Sequence, residues 1–553
     1  MANRVWAITE SSGTLEVHQE GTKYTTNGSL AIIHDEVEKL ETVRVEKEEA
    51  HAEFVSRKKE IPTVFESIWS QGVLHEGLRL YLPPATRVRF YLDIYTERVD
   101  PCIKVLHLPT DSVSFLAYED VSTRTSKAPS SLIFAMCYSV AASLSAEECE
   151  RELGEDKRTL LQRYKLASQH SLRNEGLLRT RSISVLQAFV ILLCSMPGNE
   201  SEDMWPLSGM AVRIAQQMGL HRDGSHFALS PFAIEMRRRL WWQICYFDLI
   251  ISERCGMECT TLDMKSDTNF PLNARDSDLS PSMHHPPEPC SEYTEVTCGL
   301  IYFESVRLLR RMKAGTGGPA EKERYIEEFA DNITNTYLHP RNNEHCLFPV
   351  GTATFRFMLS KLWLFLYRPF RSFRRGLELP KATVDRLFVG CLECLEAWRA
   401  ITADSRIARR SVLFRLPRLW HQLCYVVLQL CEGRNDDLAK RAWETVADVS
   451  LPPLDSVPDS TTALLLRPLH RLMAHAREIR TGAARGDQTG KTLRSQEQTS
   501  CPTENEATTE RQNMDITPDF NFGDTTTPWL EWQAIWDELD REPMWGGGVT
   551  FSQ

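Results

Sequence analysis

From about residue 64 to residue 265, apolar positions recur at helical spacing in one segment after another. The run 185–196 is almost wholly apolar and is stopped by Pro197-Gly198. Ser184-x-x-Gln187 reads as the capping box that opens it. That run is too short to span a bilayer and carries Gln187. Trp205, Leu207, Met210, Ala211, Ile214, Ala215 and Met218 form the stripe of a second helix ending at Gly219. Ser230-Pro231 supplies an N-cap and first residue for a long helix to about Ile251. No period-two alternation is sustained enough for a sheet of any size. The pattern predicts an all-α domain.

Residues 266–293 interrupt the helices with Pro271, Pro281, Pro286, Pro287 and Pro289, which predicts a mobile loop between two helical halves. Helices are expected again around 302–312, 325–335, 353–366, 384–400, 416–430 and 463–479, with a Pro-rich break at 451–458. Before the domain, residues 35–60 hold nine acids and six bases around Ile33, Val37 and Leu40. That pattern fits a surface helix better than a short coiled-coil dimer contact. Residues 481–527 are Thr, Gln, Glu, Ser and Gly with few apolar groups, the composition of a disordered linker. The expected units are a polar segment with a charged helix (1–60), a helical regulatory domain (61–480), a linker (481–512) and an acidic aromatic tail (513–553). No internal repeat is present.

Composition narrows the chemistry. In 553 residues, 64 Lys and Arg face 75 Asp and Glu for a net charge of −11, so no global field draws the chain to DNA or an anionic membrane. The first ten residues have one base, Arg4, and no apolar stretch, so no secretory signal is predicted and the 15 cysteines are expected as reduced thiols.

The richest stretch is a core motif at 182–271. It runs Leu186-Gln187-Ala188, then Gly209-Met-Ala-Val-Arg213-Ile-Ala-Gln-Gln-Met-Gly219-Leu-His221-Arg222-Asp223, then Arg237-Arg238-Arg239-Leu-Trp241-Trp242 and Asp248. Read from the residues, Gly209 allows close helix approach and the two tryptophans are core anchors. Glu235 and Arg239 form an i,i+4 pair, and the three arginines are helix-face ion-pair partners above the tryptophans. Arg213, Arg222 and Asp223 are placed to satisfy carbonyls and each other past Gly219. His221 reads as a hydrogen-bonder at that helix end.

This ordered series resembles the middle homology region of fungal zinc-cluster transcription factors. Leu82-Pro-Pro84, Phe90, Tyr95 and Leu106-His-Leu-Pro-Thr110 look like the segment preceding that region, and Leu362-Trp-Leu-Phe-Leu-Tyr-Arg-Pro369 like the helix following it. Tyr24-Thr-Thr-Asn-Gly-Ser-Leu-Ala31 with Asp35-Glu36 is similar to the strip just after the zinc cluster. The likeness covers about residues 22–480. One departure is Gly256-Met257-Glu258, where the family has a Gly-Arg-Pro turn. The larger one concerns metal. The family's DNA-binding module uses six thiolates around two zinc ions, whereas the first cysteine here is Cys102 and no such series follows.

The remaining metal and catalytic patterns are thin. Cys391-x2-Cys394 lies inside a helical pattern without a second pair and reads as buried thiols. Cys255-x3-Cys259 lacks partners, and His284, His285 and Cys290 read as solvated side chains. There is no phosphate loop, nucleophile elbow or zinc-protease motif. Asn435-Asp436-Asp437 runs into Leu438-Ala439-Lys440 without the further acids a terpene-cyclase-like site needs. No catalytic residue, metal site or cofactor is predicted.

Two charged clusters stand outside the motif. Arg368, Arg371, Arg374 and Arg375 end an apolar helix, suiting its dipole or, less readily, nuclear import. Residues 515–542 hold eight acids and one base. Thr527-Pro528 opens a helix that places Trp529, Trp532, Trp536 and Leu539 along one face, with Leu530 and Ile535 beside them. The expectation is a nuclear transcriptional regulator, and the resemblance implies RNA polymerase II genes as what it controls. The resemblance implies a fungal biosynthetic gene cluster as its target. Its tail would meet a coactivator or the general transcription machinery. A homodimer or a zinc-cluster partner protein is expected as a further partner, with DNA contact indirect and no membrane contact. The alternative is a helical small-molecule-binding protein or an all-α enzyme.

Overall fold

A computed structural model describes strands at 14–18 and 21–25, then residues 81–449 except 84, 117–129, 197–200, 256, 315–317, 340–344, 368–378, 405–418, 432 and 448. Isolated positions at 78 and between 470 and 480 are also described. The charged stretch 31–60, the Arg368–Arg375 cluster, the break at 451–458 and the aromatic tail lie outside the described residues.

Near the N-terminus, β1 (Thr14–His18) and β2 (Gly21–Thr25) pair antiparallel, with Leu15 opposite Tyr24 and Val17 opposite Thr22. This hairpin is too short to stand out from a polar, turn-rich stretch by alternation alone. All other regular elements among the described residues are helical.

Two helices form the centre of the first half. In α3 (Ser130–Ser143) every residue after the first is buried, and in α5 (Ile183–Ser195) residues 185–193 are buried. Neither has a polar face, the pattern of helices enclosed on all sides. Around them lie α1 (Ala85–Ile94), continued by a π turn (Tyr95–Val99), α2 (Leu108–Leu116) and α4 (Lys157–Asn174). Asp156 caps α4, accepting from the Thr159 N–H at 3.0 Å. α5 packs on both α3 and α4.

The core motif builds the next pair. α6 (Ser201–Gln217) ends where Gly219 takes φ +74°, a left-handed conformation that glycine adopts without strain. α7 (Pro231–Cys255) begins as expected: Ser230 Oγ accepts from the Ala233 N–H at 3.3 Å, and Pro231 is the first helical residue. It runs one turn beyond Ile251 because Ile251 and Ser252 are still buried. The second half comprises α8 (Thr297–Ala314), α9 (Pro319–Thr336), α10 (Phe348–Tyr367), α11 (Lys381–Ala403), α12 (Trp420–Cys431) and α13 (Asp437–Ala447). α8 joins the halves, packing on α7 and α10. Asp436 caps α13, its carboxylate taking the Ala439 N–H at 2.8 Å and pairing with Arg434. That is a structural role.

The stretch 266–293 departs from expectation. Its first part is anchored, with Ala274 fully buried and Asn273, Asp276 and Leu279 buried with it, whereas 280–292 are exposed or half-buried. Prolines bar it from helix, but side-chain groups bind it to both halves.

Candidate functional site

Three buried carboxylates of this region each clamp separate segments together. The largest assembly starts on α7, where Glu235 and Arg239, one turn apart, pair at 3.0 Å as the spacing predicts. Arg239 reaches on to Asp276, Nη1 to Oδ1 at 2.7 Å. Lys104 donates to the other Asp276 oxygen at 2.7 Å and to Asp100 at 2.5 Å. All five side chains are buried. The backbone joins in. Leu108 N–H donates to Asp276 at 3.1 Å, Leu272 N–H to Glu235 at 3.1 Å, and Asp276 N–H to Glu295 at 2.7 Å. His107 lies 2.9 Å from the Asp276 carbonyl through Nε2. That nitrogen faces a carbonyl and so donates, while Nδ1 lies 2.8 Å from the Thr110 hydroxyl.

Three carboxylates share two cations here, and the imbalance shows in the acidities. Burial pushes Asp276 up, but Lys104 and Arg239 outweigh it and hold the carboxyl at about 2. Burial pushes Asp100 to about 6, a rise that Lys104 opposes and the Asp276 charge reinforces.

The second clamp is Asp223, whose side chain is wholly enclosed. Arg238 grips it with two hydrogen bonds of 2.8 Å, and the Ser225 and Asn269 N–H groups donate at 3.1 and 2.9 Å. Burial opposes its ionisation, and these donors overcome that to hold it well below the usual carboxylate range. Outside it, Arg222 pairs with Asp267 at 2.8 Å while the Asp223 N–H donates to the same carboxylate. The third clamp is Asp248, which receives Ser208 Oγ at 3.1 Å, Cys259 Sγ at 3.3 Å and the Thr261 N–H at 2.9 Å. Cys259 therefore has a partner, and the turn after Asp248 closes through Met257 N–H to Ser252 O at 2.8 Å.

Several expected roles shift. The capping box at Ser184 does not form: Ser182 precedes α5, and Gln187 donates instead to the Val105 carbonyl. A buried carbonyl outcompetes an exposed helix start for this amide. Gly209 has open space around it rather than a close neighbour. At the end of α6 the capping side chain is Arg237, which donates to the Met218 carbonyl; Arg213 binds Gln216 on its own helix at 3.1 Å. The His221 ring makes no hydrogen bond through its buried Nδ1; its carbonyl accepts from Asp267 N–H at 3.2 Å. The three consecutive arginines thus serve three purposes: a helix cap, the Asp223 grip and the Asp276 bridge.

The tryptophans are placed as expected. Trp241 is fully buried with its ring 6.3 Å from that of His221. Trp242 Nε1 donates to Asn269 O at 2.9 Å, and its ring meets Phe270 at 4.5 Å and the Arg310 guanidinium at 5.2 Å. Cys391 and Cys394 are buried in α11, where burial pushes the Cys394 thiol up to about 12. His284 and His285 are exposed. Among the described residues, no three His, Cys, Asp or Glu side chains converge as metal ligands. No described helix is long and apolar enough to cross a membrane. The three clamps, Asp276 (with Asp100), Asp223 and Asp248, and their partners all fall within residues 92–310. That span matches the model of the fungal specific transcription factor domain.

Residues 92–310 are thus similar to a fungal specific transcription factor domain.

Curated proteins are also similar to this chain. The aurofusarin cluster transcription factor aurR2 of Gibberella zeae is 30% identical over 368 residues, covering 64% of this chain and 55% of that protein. The pyriculol/pyriculariol biosynthesis cluster transcription factor 1 of Pyricularia oryzae is 27% identical over 479 residues, 82% of this chain and 64% of its own length. The C6 finger domain transcription factor hasF of Aspergillus fumigatus is 34% identical over 250 residues, 41% of this chain and 33% of its own. The chain thus spans between half and two thirds of the first two relatives.

Lys104, Asp100 and Asp276 were missed by reading the sequence. The i,i+4 spacing of Asp100 and Lys104 was the available signal, but nothing local marks their partner 172 residues away.

Proposed function

We propose that this protein regulates RNA polymerase II transcription of a fungal secondary-metabolite gene cluster from within the nucleus. The observation that carries this reading is the matched span: it holds the buried ion clamps, and proteins similar to this chain are named as cluster transcription factors. The helical domain at 61–480 acts as the regulatory body. The acidic aromatic segment at 513–553 meets a coactivator or the general transcription machinery, with Trp529, Leu530, Trp532, Ile535, Trp536 and Leu539 as anchors. These 553 residues hold no six-cysteine series, and DNA contact by this stretch runs through a zinc-cluster partner protein. Catalysis is not part of the reading, because the buried carboxylates are committed to cations and backbone N–H groups. Deleting the gene and measuring transcripts of neighbouring biosynthetic genes tests the proposal. Coordinated loss of those transcripts is expected, and unchanged levels would contradict it.

A further inference from the structure

Between α4 and α5 the chain presents a basic, exposed strip. Gly176, at φ +66°, turns it into a short 3-10 segment, Leu177–Arg179, after which Thr180 and Ser182 are extended with ψ of 144° and 123°. Leu177 and Thr180 are buried and anchor the strip, while Leu178, Arg179, Arg181 and Ser182 are exposed. Ser182 immediately precedes α5, yet its hydroxyl makes no capping hydrogen bond; its own N–H donates to Thr180 Oγ1 at 3.1 Å. Among the described residues, the N–H groups of Ile183, Ser184 and Val185 meet no acceptor, and neither Arg179 nor Arg181 meets a carboxylate.

A serine on exposed, extended backbone with arginines three and one residues before it suits the acid-lined cleft of an arginine-directed protein kinase. The surroundings separate it from a similar spacing nearby. Arg222-Asp-Gly-Ser225 also places an arginine three residues before a serine, but Arg222 is bound to Asp267 and Asp223 stands between them. Acids there would repel such a kinase and a product phosphate alike.

We propose that Ser182 is a phosphorylation site for an arginine-directed protein kinase, and that its phosphate closes the open N-terminus of α5. The γ-phosphoryl group of a nucleoside triphosphate passes to Ser182 Oγ. The bond to the diphosphate leaving group breaks, the phosphoester bond forms, and the hydroxyl proton passes to the kinase's base. The product brings close to two negative charges and three strong acceptors to the first turn of a helix, where unpaired N–H groups and the helix dipole favour them. α5 is the helix whose Gln187 holds Val105, the residue next to Lys104 of the ion assembly. Phosphorylation would therefore firm the contact between the segment before the core motif and the motif itself.

Incubating the purified full chain with the catalytic subunit of cAMP-dependent protein kinase and ATP, followed by peptide mass mapping and thermal unfolding, tests this. Phosphate is expected on Ser182, with its incorporation slowed about tenfold or more in Arg179→Ala. The phosphorylated protein should unfold about 1–2 °C higher. Unphosphorylated Ser182→Ala should unfold like the parent, since the hydroxyl makes no cap bond, so its failure to take phosphate at this strip would not reflect misfolding. Ser182 left bare, phosphate at Ser184 instead, incorporation indifferent to Arg179, or an unfolding midpoint that stays or falls would each overturn the proposal.

Discussion

Arg239 and Asp276, 37 residues apart, meet at 2.7 Å with both side chains buried, and their bridge ties the Pro-rich segment to α7. Removing either partner strands charge in the interior. Arg239→Ala should therefore cost about 3–5 kcal/mol of stability. Arg239→Met, which fills the space but leaves Asp276 and Glu235 with one cation fewer, should recover little of it. Denaturant unfolding measures both. Parent-like midpoints would mean the bridge contributes nothing.

The two aspartates flanking Lys104 should give opposite pH responses. Asp276, at about 2 against 3.8 for an unfolded aspartate, adds stability that is present above about pH 4 and is lost as pH falls towards 2. Asp100, raised to about 6, adds stability that is full below about pH 4 and is lost as pH rises through 6. Unfolding midpoints across pH 3–8 should therefore fall less steeply between pH 4 and 7 in Asp100→Asn than in the parent. Parallel curves would remove Asp100 from the account.

The adjacent tryptophans should respond differently to the same change. Trp241 and Trp242 to alanine should each cost about 3–5 kcal/mol. To phenylalanine they diverge. Trp241 Nε1 makes no hydrogen bond, so Trp241→Phe loses packing alone, whereas Trp242→Phe also leaves the Asn269 carbonyl without its donor, a further cost of about 1–3 kcal/mol. Equal losses in calorimetry would contradict that difference.

How much of this was legible in the sequence depended on range. Contacts within one turn were readable: the Glu235–Arg239 pair, the Ser230 cap, the stop at Gly219 and the buried thiols of α11. Those joining distant segments were not. Asp276 looked like one acid in a proline-rich loop, because nothing in its own neighbourhood names Lys104 or Arg239 as partners. Gln187 shows local pattern overridden, since its amide serves a carbonyl 82 residues away rather than the helix start. The arginine triplet was legible as a charged helix face, but its three separate destinations needed the fold.

DNA contact by this chain alone should be weak and unselective. With a net charge of −11 and no six-cysteine series, the purified 553-residue chain should give no footprint at physiological salt. A sequence-selective footprint would contradict indirect recruitment.

Reporter output from the full chain fused to a heterologous DNA-binding domain tests the central claim, transcriptional regulation through an acidic aromatic tail, most directly. Salt screens the charge of such a tail and any basic surface attracts it, so the aromatic face must supply the affinity while the acids speed encounter. The parent fusion should activate. Trp532→Ala with Trp536→Ala should abolish that output, and Asp537→Asn with Glu538→Gln should reduce it only in part. Full activity in the tryptophan double mutant, or after deletion of residues 513–553, would contradict the account.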